Sequence, residues 1–270
     1  MGRLLGSKSY TKNIIREFRG AVVRRKIIIG NWKMNGSLAS IKSLCESLHQ
    51  ISKAKKNVDI AVCVPAPYLD YVRQNICGIA IGAQNVSQYD QGAFTGEISV
   101  HMLKDFGCEY VLLGHSERRS LFGEDNISVA QKAQKALDYG LVPVVCIGET
   151  FKQRLSGDLN NVLSEQLESF MCRLSLKQLL NIIIAYEPVW AIGTKVAATS
   201  AQIQQVHSFI RKTITKTDEN LAKNIRIVYG GSLKSSNASE ILSLQDVDGG
   251  LVGGASLDGR EFAAIVNHAH

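Results

Sequence analysis

Residues 27–33 read IIIGNWK, and residues 182–187 read IIIAYE. Each stretch is a short apolar run that ends at once in polar side chains. Runs of this kind are typical of strands covered on both faces, as in a parallel sheet buried under crossover helices. Six further runs resemble them, so the sequence predicts eight strands, at 27–31, 58–64, 79–83, 110–113, 142–147, 182–186, 225–229 and 248–252.

Helical patterns lie between the predicted strands, and no Pro-, Gly- or Ser-rich linker interrupts the alternation. The pattern predicts a single α/β domain over residues 27–270. It is a (β/α)8 barrel whose eight parallel strands point their carboxyl ends at one mouth. Apolar residues recur at helical spacing at Ile41, Leu44, Leu48 and Ile51, at Val129, Ala133, Ala136 and Leu137, and at Ile203, Val206, Ile210 and Ile214.

A doubly wound sheet is the structural alternative. That fold places a GxGxxG motif after the first strand, with an acidic residue about 20 residues later. Residues 30–36 read GNWKMNG and do not fit. Glycine pairs follow the predicted seventh and eighth strands instead, at Gly230-Gly231 and Gly253-Gly254. Barrels bind phosphate groups at those two turns.

The net charge of +7 is concentrated in the first 26 residues, which hold eight basic residues and one acidic residue. The rest of the chain is balanced, whereas a nucleic-acid-binding protein carries basic residues on one face of its folded domain. We therefore expect no nucleic-acid partner. Residues 1–26 are a basic extension, either a tail or a targeting segment with Ile14, Ile15, Phe18 and Val22 on one helix face.

No apolar run approaches the roughly 18 residues needed to span a bilayer, so no membrane partner is expected. The six cysteines form no CxxC pair and no cluster with histidine. They are expected to be reduced thiols. The predicted location is the cytoplasm, or an organelle if residues 1–26 act as a transit peptide.

Polar residues at the strand ends are the candidates for chemistry. Asn31 and Lys33 lie on one side of an extended chain, with Trp32 opposite. Lys33 could attract an anion and stabilise a developing oxyanion, or be a solvated charge. His115 lies where the fourth strand gives way to a helical turn, whose N–H groups disfavour imidazolium. A neutral His115 could donate and shuttle protons, or be structural, and Glu117 is the expected partner of Lys33.

Glu187 directly follows the sixth strand, and an apolar run then leads to Gly193. The run predicts either a lid or a loop that is permanently buried. Closure of a lid would expel water and raise the basicity of Glu187. The glycine pairs after the last two strands could present unobstructed backbone N–H groups to a phosphate.

Six motifs resemble those of the triosephosphate isomerase family, in family order. The resemblance covers residues 27–268 and implies a TIM barrel that interconverts dihydroxyacetone phosphate and D-glyceraldehyde 3-phosphate, a step of glycolysis and gluconeogenesis. The motifs are NWKMN at 31–35, GAFTGE at 92–97, GHSERR at 114–119, AYEPVWAIGT at 185–194, YGGS at 229–232 and GGASL at 253–257.

The resemblance also implies a role for each site residue. Glu187 would be the base, His115 the neutral acid, and Lys33 and Asn31 the groups that stabilise the enediolate. No metal or organic cofactor is implied. Phosphate would bind the N–H groups of Gly193, Ser232 and Gly254, near Gly253, under a lid from Pro188 to about Ala198 that Tyr229 and Ser232 hold shut.

A homodimer is implied as well, in which the loop from about Gln84 to Glu97, with Thr95 near its tip, enters the partner near Asn31, Lys33 and His115.

Two departures from the family pattern stand out. Residues 195–198 read KVAA in place of the usual hinge, which predicts altered lid kinetics. Gly250 replaces a bulkier residue, which predicts looser packing near the eighth strand.

Two other functions fit parts of the pattern. A sugar-phosphate aldolase would use Lys33 as a Schiff-base amine, which requires a desolvated lysine. A catalytically silent phosphate-binding protein could share the scaffold. Glu187 together with His115 suits proton transfer better than Schiff-base chemistry, which argues against the aldolase. The presence of every expected catalytic residue argues against a silent phosphate-binding protein.

Overall fold

A computed structural model of the protein describes residues 17–18, 21–22, 24–52, 57–193 and 197–269. Eight parallel strands close into a barrel in chain order, with the last strand paired to the first. The predicted (β/α)8 TIM barrel is confirmed, and each strand lies within one residue of its predicted bounds. The strands are β1 (Ile27–Asn31), β2 (Asp59–Val64), β3 (Ala80–Ala83), β4 (Tyr110–Leu113), β5 (Val142–Ile147), β6 (Ile183–Tyr186), β7 (Arg226–Tyr229) and β8 (Gly249–Val252).

Helices connect the strands and cover the outside of the barrel. Three 3-10 turns, at Ala66–Tyr68, Val189–Ala191 and Gly254–Leu257, follow β2, β6 and β8. The helices are α1 (Leu38–Ser52), α2 (Leu69–Asn75), α3 (Val100–Asp105), α4 (Ser116–Phe122), α5 (Asn126–Asp138), α6 (Phe151–Leu155), α7 (Leu159–Met171), α8 (Leu176–Leu179), α9 (Ser200–Thr215), α10 (Glu219–Asn224), α11 (Ser235–Leu242) and α12 (Gly259–Asn267).

The core has two layers that follow the period of two along each strand. On β1, Ile27 and Ile29 belong to the cluster inside the barrel, and Ile28 belongs to the larger cluster between strands and helices. The same alternation turns Asn31 inward at the mouth and Trp32 outward, where its side chain is fully buried. The apolar periodicity that buries the core therefore also aims the first polar side chain into the mouth.

The end of the barrel opposite the mouth is closed by ion pairs. Asp248, almost wholly buried, accepts hydrogen bonds from Arg24 Nε at 2.6 Å and Arg211 Nη2 at 2.7 Å. The ammonium of Lys26 donates to the carbonyl oxygens of Leu242 and Val247. These contacts attach the last residues of the predicted extension to the barrel.

Earlier in the extension, Glu17–Phe18 pairs antiparallel with Ala21–Val22. These four residues are strands, so the helix considered for this segment is wrong at Phe18 and Val22. An isolated amphipathic helix gains little without a surface that buries its apolar face, which is the physical reason why sequence spacing alone is a weak guide here. Ile14 and Ile15 lie outside the described residues. Within the described ranges, no helix has the length and apolarity to cross a bilayer.

The expectation of looser packing at Gly250 is wrong. A Cβ at Gly250 would lie 2.3 Å from Leu233 Cδ2, and Leu233 is itself buried. The leucine therefore occupies the volume that a larger side chain would need.

Candidate active site

All eight residues expected to catalyse or to bind substrate line one cavity of about 440 Å³ at the carboxyl ends of the strands. Such a volume is typical of a small-molecule site. The eight residues are Asn31, Lys33, His115, Glu187, Gly193, Ser232, Gly253 and Gly254.

Glu187 is 1% exposed and begins the loop after β6. Its Oε2 accepts a hydrogen bond of 2.8 Å from the backbone N–H of Ser116. Burial raises the pKa of this carboxyl, while His115, the bonds from Ser116 and Lys33 lower it to a smaller extent. A raised pKa makes the carboxylate a stronger base than an exposed glutamate.

The second oxygen of Glu187 is the more informative one. Oε1 lies 3.0 Å from His115 Nε2, yet it has no aligned hydrogen bond. The short distance is a contact between neighbours, because the direction of the ring N–H does not meet hydrogen-bond geometry. A buried carboxylate oxygen without a donor is costly and rare, and it marks a group kept free for another proton.

His115 is the N-cap residue of α4, and its Nδ1 accepts a hydrogen bond of 3.2 Å from the Glu117 N–H. An acceptor nitrogen carries no proton, so this contact favours the neutral tautomer with its proton on Nε2. The local structure thus leaves the ring proton on Nε2, which is the nitrogen beside Glu187 Oε1 and the cavity.

A turn after β1, and not the alternation of side chains along the strand, directs Lys33 into the cavity. Its φ of 51° is in the left-handed region, unusual for a residue other than glycine. The Lys33 N–H donates to Asn31 Oδ1 at 3.0 Å, and Gln84 Nε2 donates to its carbonyl oxygen at 2.9 Å. Its ammonium forms an ion pair with Glu117, as predicted. Asn31 and Lys33 share the cavity, and the turn after β1 achieves this.

The turn after β7 is packed so tightly that a Cβ would displace its neighbours. A Cβ at Gly231 would lie 2.2 Å from Tyr229 Oη, and one at Gly230 would lie 2.9 Å from Glu187 Cγ. Asn237 Nδ2 donates to the Ser232 carbonyl oxygen at 3.0 Å and fixes the end of this turn. The backbone N–H of Ser232 is therefore positioned by its neighbours, as a preformed anion site requires.

After β8, Gly254 begins a 3-10 turn that is fixed by hydrogen bonds from the N–H and the hydroxyl of Ser256 to the Gly253 carbonyl oxygen. A Cβ at Gly254 would meet no atom within 4 Å, so its face toward the cavity is open. This leaves room for a ligand group beside a helix-like N-terminus.

Sequence reasoning missed Glu149, a wholly buried carboxylate behind Glu187. Its Oε1 accepts hydrogen bonds from Trp190 Nε1 at 2.7 Å, Arg154 Nη1 at 2.8 Å and Tyr186 Oη at 3.2 Å. The available signal was a glutamate two residues after the end of β5, comparable to Glu187, which directly follows β6. This cluster fixes the start of the loop that was expected to be a lid.

The loop after β6 is only partly described. Ala191 is buried, Ile192 is half-buried and Gly193 is exposed. Residues 194–196 lie outside the described residues, and with them the altered hinge at Lys195 and Val196. In the parts of the chain that the structure covers, no group of three or more His, Cys, Asp or Glu side chains could hold a metal ion.

Comparisons with known proteins identify the family. The family model described as Triosephosphate isomerase matches residues 26–269. The triosephosphate isomerase of Francisella philomiragia is 53% identical over 247 residues, which are 91% of this chain and 98% of that protein. The triosephosphate isomerase of Francisella tularensis subsp. holarctica is also 53% identical over 247 residues, with the same coverage of both chains. The triosephosphate isomerase of Hydrogenovibrio crunogenus is 48% identical over 250 residues, 92% of this chain and 99% of its own. The chain belongs to the triosephosphate isomerase family.

Proposed function

We propose that the protein interconverts dihydroxyacetone phosphate and D-glyceraldehyde 3-phosphate through an enediolate, as an isomerase of glycolysis and gluconeogenesis. One observation carries the proposal. A buried carboxylate oxygen without a donor, Glu187 Oε1, lies 3.0 Å from His115 Nε2 in a cavity that also exposes a glycine-rich turn.

Glu187 removes the proton from the carbon next to the carbonyl group. A desolvated carboxylate is suited to this step because burial raises its pKa. The Nε2–H of His115 donates to the carbonyl oxygen, on which negative charge develops. His115 then moves a proton between the two oxygens, while Glu187 returns its proton to the neighbouring carbon.

Lys33 and Asn31 stabilise the enediolate from the side of β1. The ion pair with Glu117 keeps the Lys33 side chain beside the cavity. An aldolase would need this amine free of an ion partner to form a Schiff base. Backbone N–H groups of Gly193, Ser232 and Gly254 bind the phosphate, with Gly253 beside it. The loop from Pro188 to about Ala198 closes over the substrate, held by Tyr229 and Ser232.

Isomerisation in D2O tests the reaction and its mechanism together. With dihydroxyacetone phosphate as substrate, we expect glyceraldehyde 3-phosphate carrying deuterium at C2, detected by proton NMR, because the base exchanges its proton with solvent. Borohydride treatment with substrate is the control for the aldolase alternative. A covalent adduct on Lys33, or binding of 2-phosphoglycolate without turnover, would refute the proposal.

We also propose a homodimer. A cavity of about 380 Å³ adjoins Asn31, Lys33 and His115, and its rim includes Met34, 96% exposed. The loop from about Gln84 to Glu97 carries an apolar tip in which the rings of Tyr89 and Phe94 stack at 4.0 Å, both exposed. An apolar tip, and a cavity on the same chain whose rim carries the exposed side chain of Met34, fit insertion into a second copy. Light scattering checks this. We expect the wild type to be a dimer and Thr95→Arg, changed near the tip of the loop, to be a monomer.

The location is proposed to be the cytoplasm. All six cysteines are free thiols, as the sequence predicts, and this fits a reducing compartment. A reporter fused to residues 1–26 distinguishes the alternatives, since import into an organelle would assign the extension to targeting.

A further inference from the structure

The charged side chains deep in the 440 Å³ cavity do not favour an anion, and the balance changes only at its outer rim. Lys33 is neutralised by its ion pair with Glu117. Glu187 adds a negative charge when it is a carboxylate, and His115 is neutral in the tautomer that its contacts favour. The three charged side chains nearest the reacting atoms therefore sum to one negative charge, although a triose phosphate is close to a dianion at neutral pH.

One further cation lines this cavity among the described residues, and it is Lys234. Its side chain is exposed, and none of the ion pairs among the described residues involves its ammonium. Lys234 follows Ser232 by two residues, so it lies on the side of the cavity where the phosphate would bind. An unpaired ammonium keeps its whole field available to an approaching anion.

The backbone of Lys234 is fixed although its side chain is exposed. The Lys234 N–H donates to Asn237 Oδ1 at 2.8 Å, and Asn237 Nδ2 donates to the Ser232 carbonyl oxygen at 3.0 Å. One asparagine thus holds both the phosphate turn and the root of the lysine side chain. The side chain of Lys234 therefore starts from a fixed point two residues beyond Ser232, at the rim of the cavity.

We propose that Lys234 recruits the substrate, attracting the phosphate group to the rim of the cavity and delivering it to the N–H groups of the Ser232 turn. The inference rests on the proposed function, whose phosphate site it extends outward. Lys234 acts before the chemical step, so it contributes to kcat/KM and to phosphate affinity and leaves kcat unchanged. Because the rim is exposed to solvent, salt screens this contribution.

The test compares Lys234→Gln and Lys234→Arg with wild type at ionic strengths from about 0.02 to 0.5 M, a range over which screening becomes strong. A charged mouth changes association rates by about 10- to 1000-fold in total, so a single rim charge should account for about threefold. We expect Lys234→Gln to lose about threefold in kcat/KM at low salt, with the difference vanishing at high salt. Lys234→Arg should retain the wild-type values.

Lys216 provides the matched control. It is an exposed lysine at the C-terminal end of α9, on the opposite end of the barrel from the mouth. Lys216→Gln removes the same charge and should leave kcat/KM unchanged at every salt concentration. An equal effect of Lys216→Gln and Lys234→Gln would overturn the proposal, since net charge alone would then explain it.

Titration with inorganic phosphate separates this inference from the proposed function. We expect the affinity for phosphate to fall about threefold in Lys234→Gln at low salt, whether or not triose phosphates are turned over. Unchanged phosphate affinity and an unchanged salt dependence of kcat/KM would overturn the role of Lys234 in an active isomerase. Wild type that binds phosphate through Lys234 without isomerising would refute the proposed function and keep the recruiting role.

Discussion

Replacement of Gly230 by alanine should displace the proposed base without unfolding the protein. The new Cβ would lie 2.9 Å from Glu187 Cγ and 3.2 Å from the Tyr186 carbonyl oxygen. An ordinary contact begins near 3.4 Å, so the glutamate side chain must retreat by about 0.5 Å. A misplacement of about 1 Å costs on the order of 100-fold in rate, and half of it should cost about tenfold.

The assay is steady-state turnover of glyceraldehyde 3-phosphate in a coupled spectrophotometric measurement. We expect Gly230→Ala to lower kcat about tenfold. Gly157→Ala is the matched control because Gly157 has open space around it but a φ of +78°. That change should cost about 1 kcal/mol of unfolding free energy through backbone strain and leave kcat unaltered. A Gly230→Ala enzyme within twofold of wild-type kcat would refute the link between this turn and Glu187.

Three further predictions concern pH and stability. Because the pKa of Glu187 is raised, kcat/KM should begin to fall at a higher pH than it would with an ordinary carboxyl as the base. A pH–rate profile whose acid limb lies below about pH 4.3 would contradict this. In a denaturant titration, Arg24→Ala should lower the unfolding free energy by about 1–2 kcal/mol, because a charged hydrogen bond to buried Asp248 is lost. Arg25→Ala, which breaks a more exposed ion pair, should cost below about 1 kcal/mol in the same titration. Burial lowers the pKa of His207 to about 4, so the unfolded state binds more protons between about pH 6.5 and 4 and stability should fall as pH drops through that window. The fall should be smaller in His207→Gln, and an identical fall would contradict the assignment.

The sequence predicted the barrel well because the strands are largely apolar on both faces and most of them end at a polar residue or a glycine. The convergence of Asn31, His115 and Glu187 follows from that arrangement, since the carboxyl ends of all eight strands meet at one mouth. Their separations and hydrogen bonds did not follow. The backbone bond from Ser116 to Glu187 joins residues 71 positions apart, and no local pattern specifies it.

Two further features depended on tertiary structure. Glu149 was overlooked because two of its three partners, Tyr186 and Trp190, lie 37 and 41 positions further along the chain and meet it only in the folded barrel. Lys33 was expected in the mouth from strand alternation, but a left-handed turn places it there. Period-two reasoning holds within a strand and ceases to apply where the strand ends, which for β1 is at Asn31.

The role of Glu187 as the base is tested most directly by Glu187→Asp, with kcat and the affinity for 2-phosphoglycolate measured on the same preparation. The shorter side chain withdraws the carboxylate by about 1.5 Å, one carbon–carbon bond, and should lower kcat by at least about 100-fold. Affinity for 2-phosphoglycolate should stay within a few-fold of wild type, because the phosphate turn is untouched. An unchanged kcat would contradict the account.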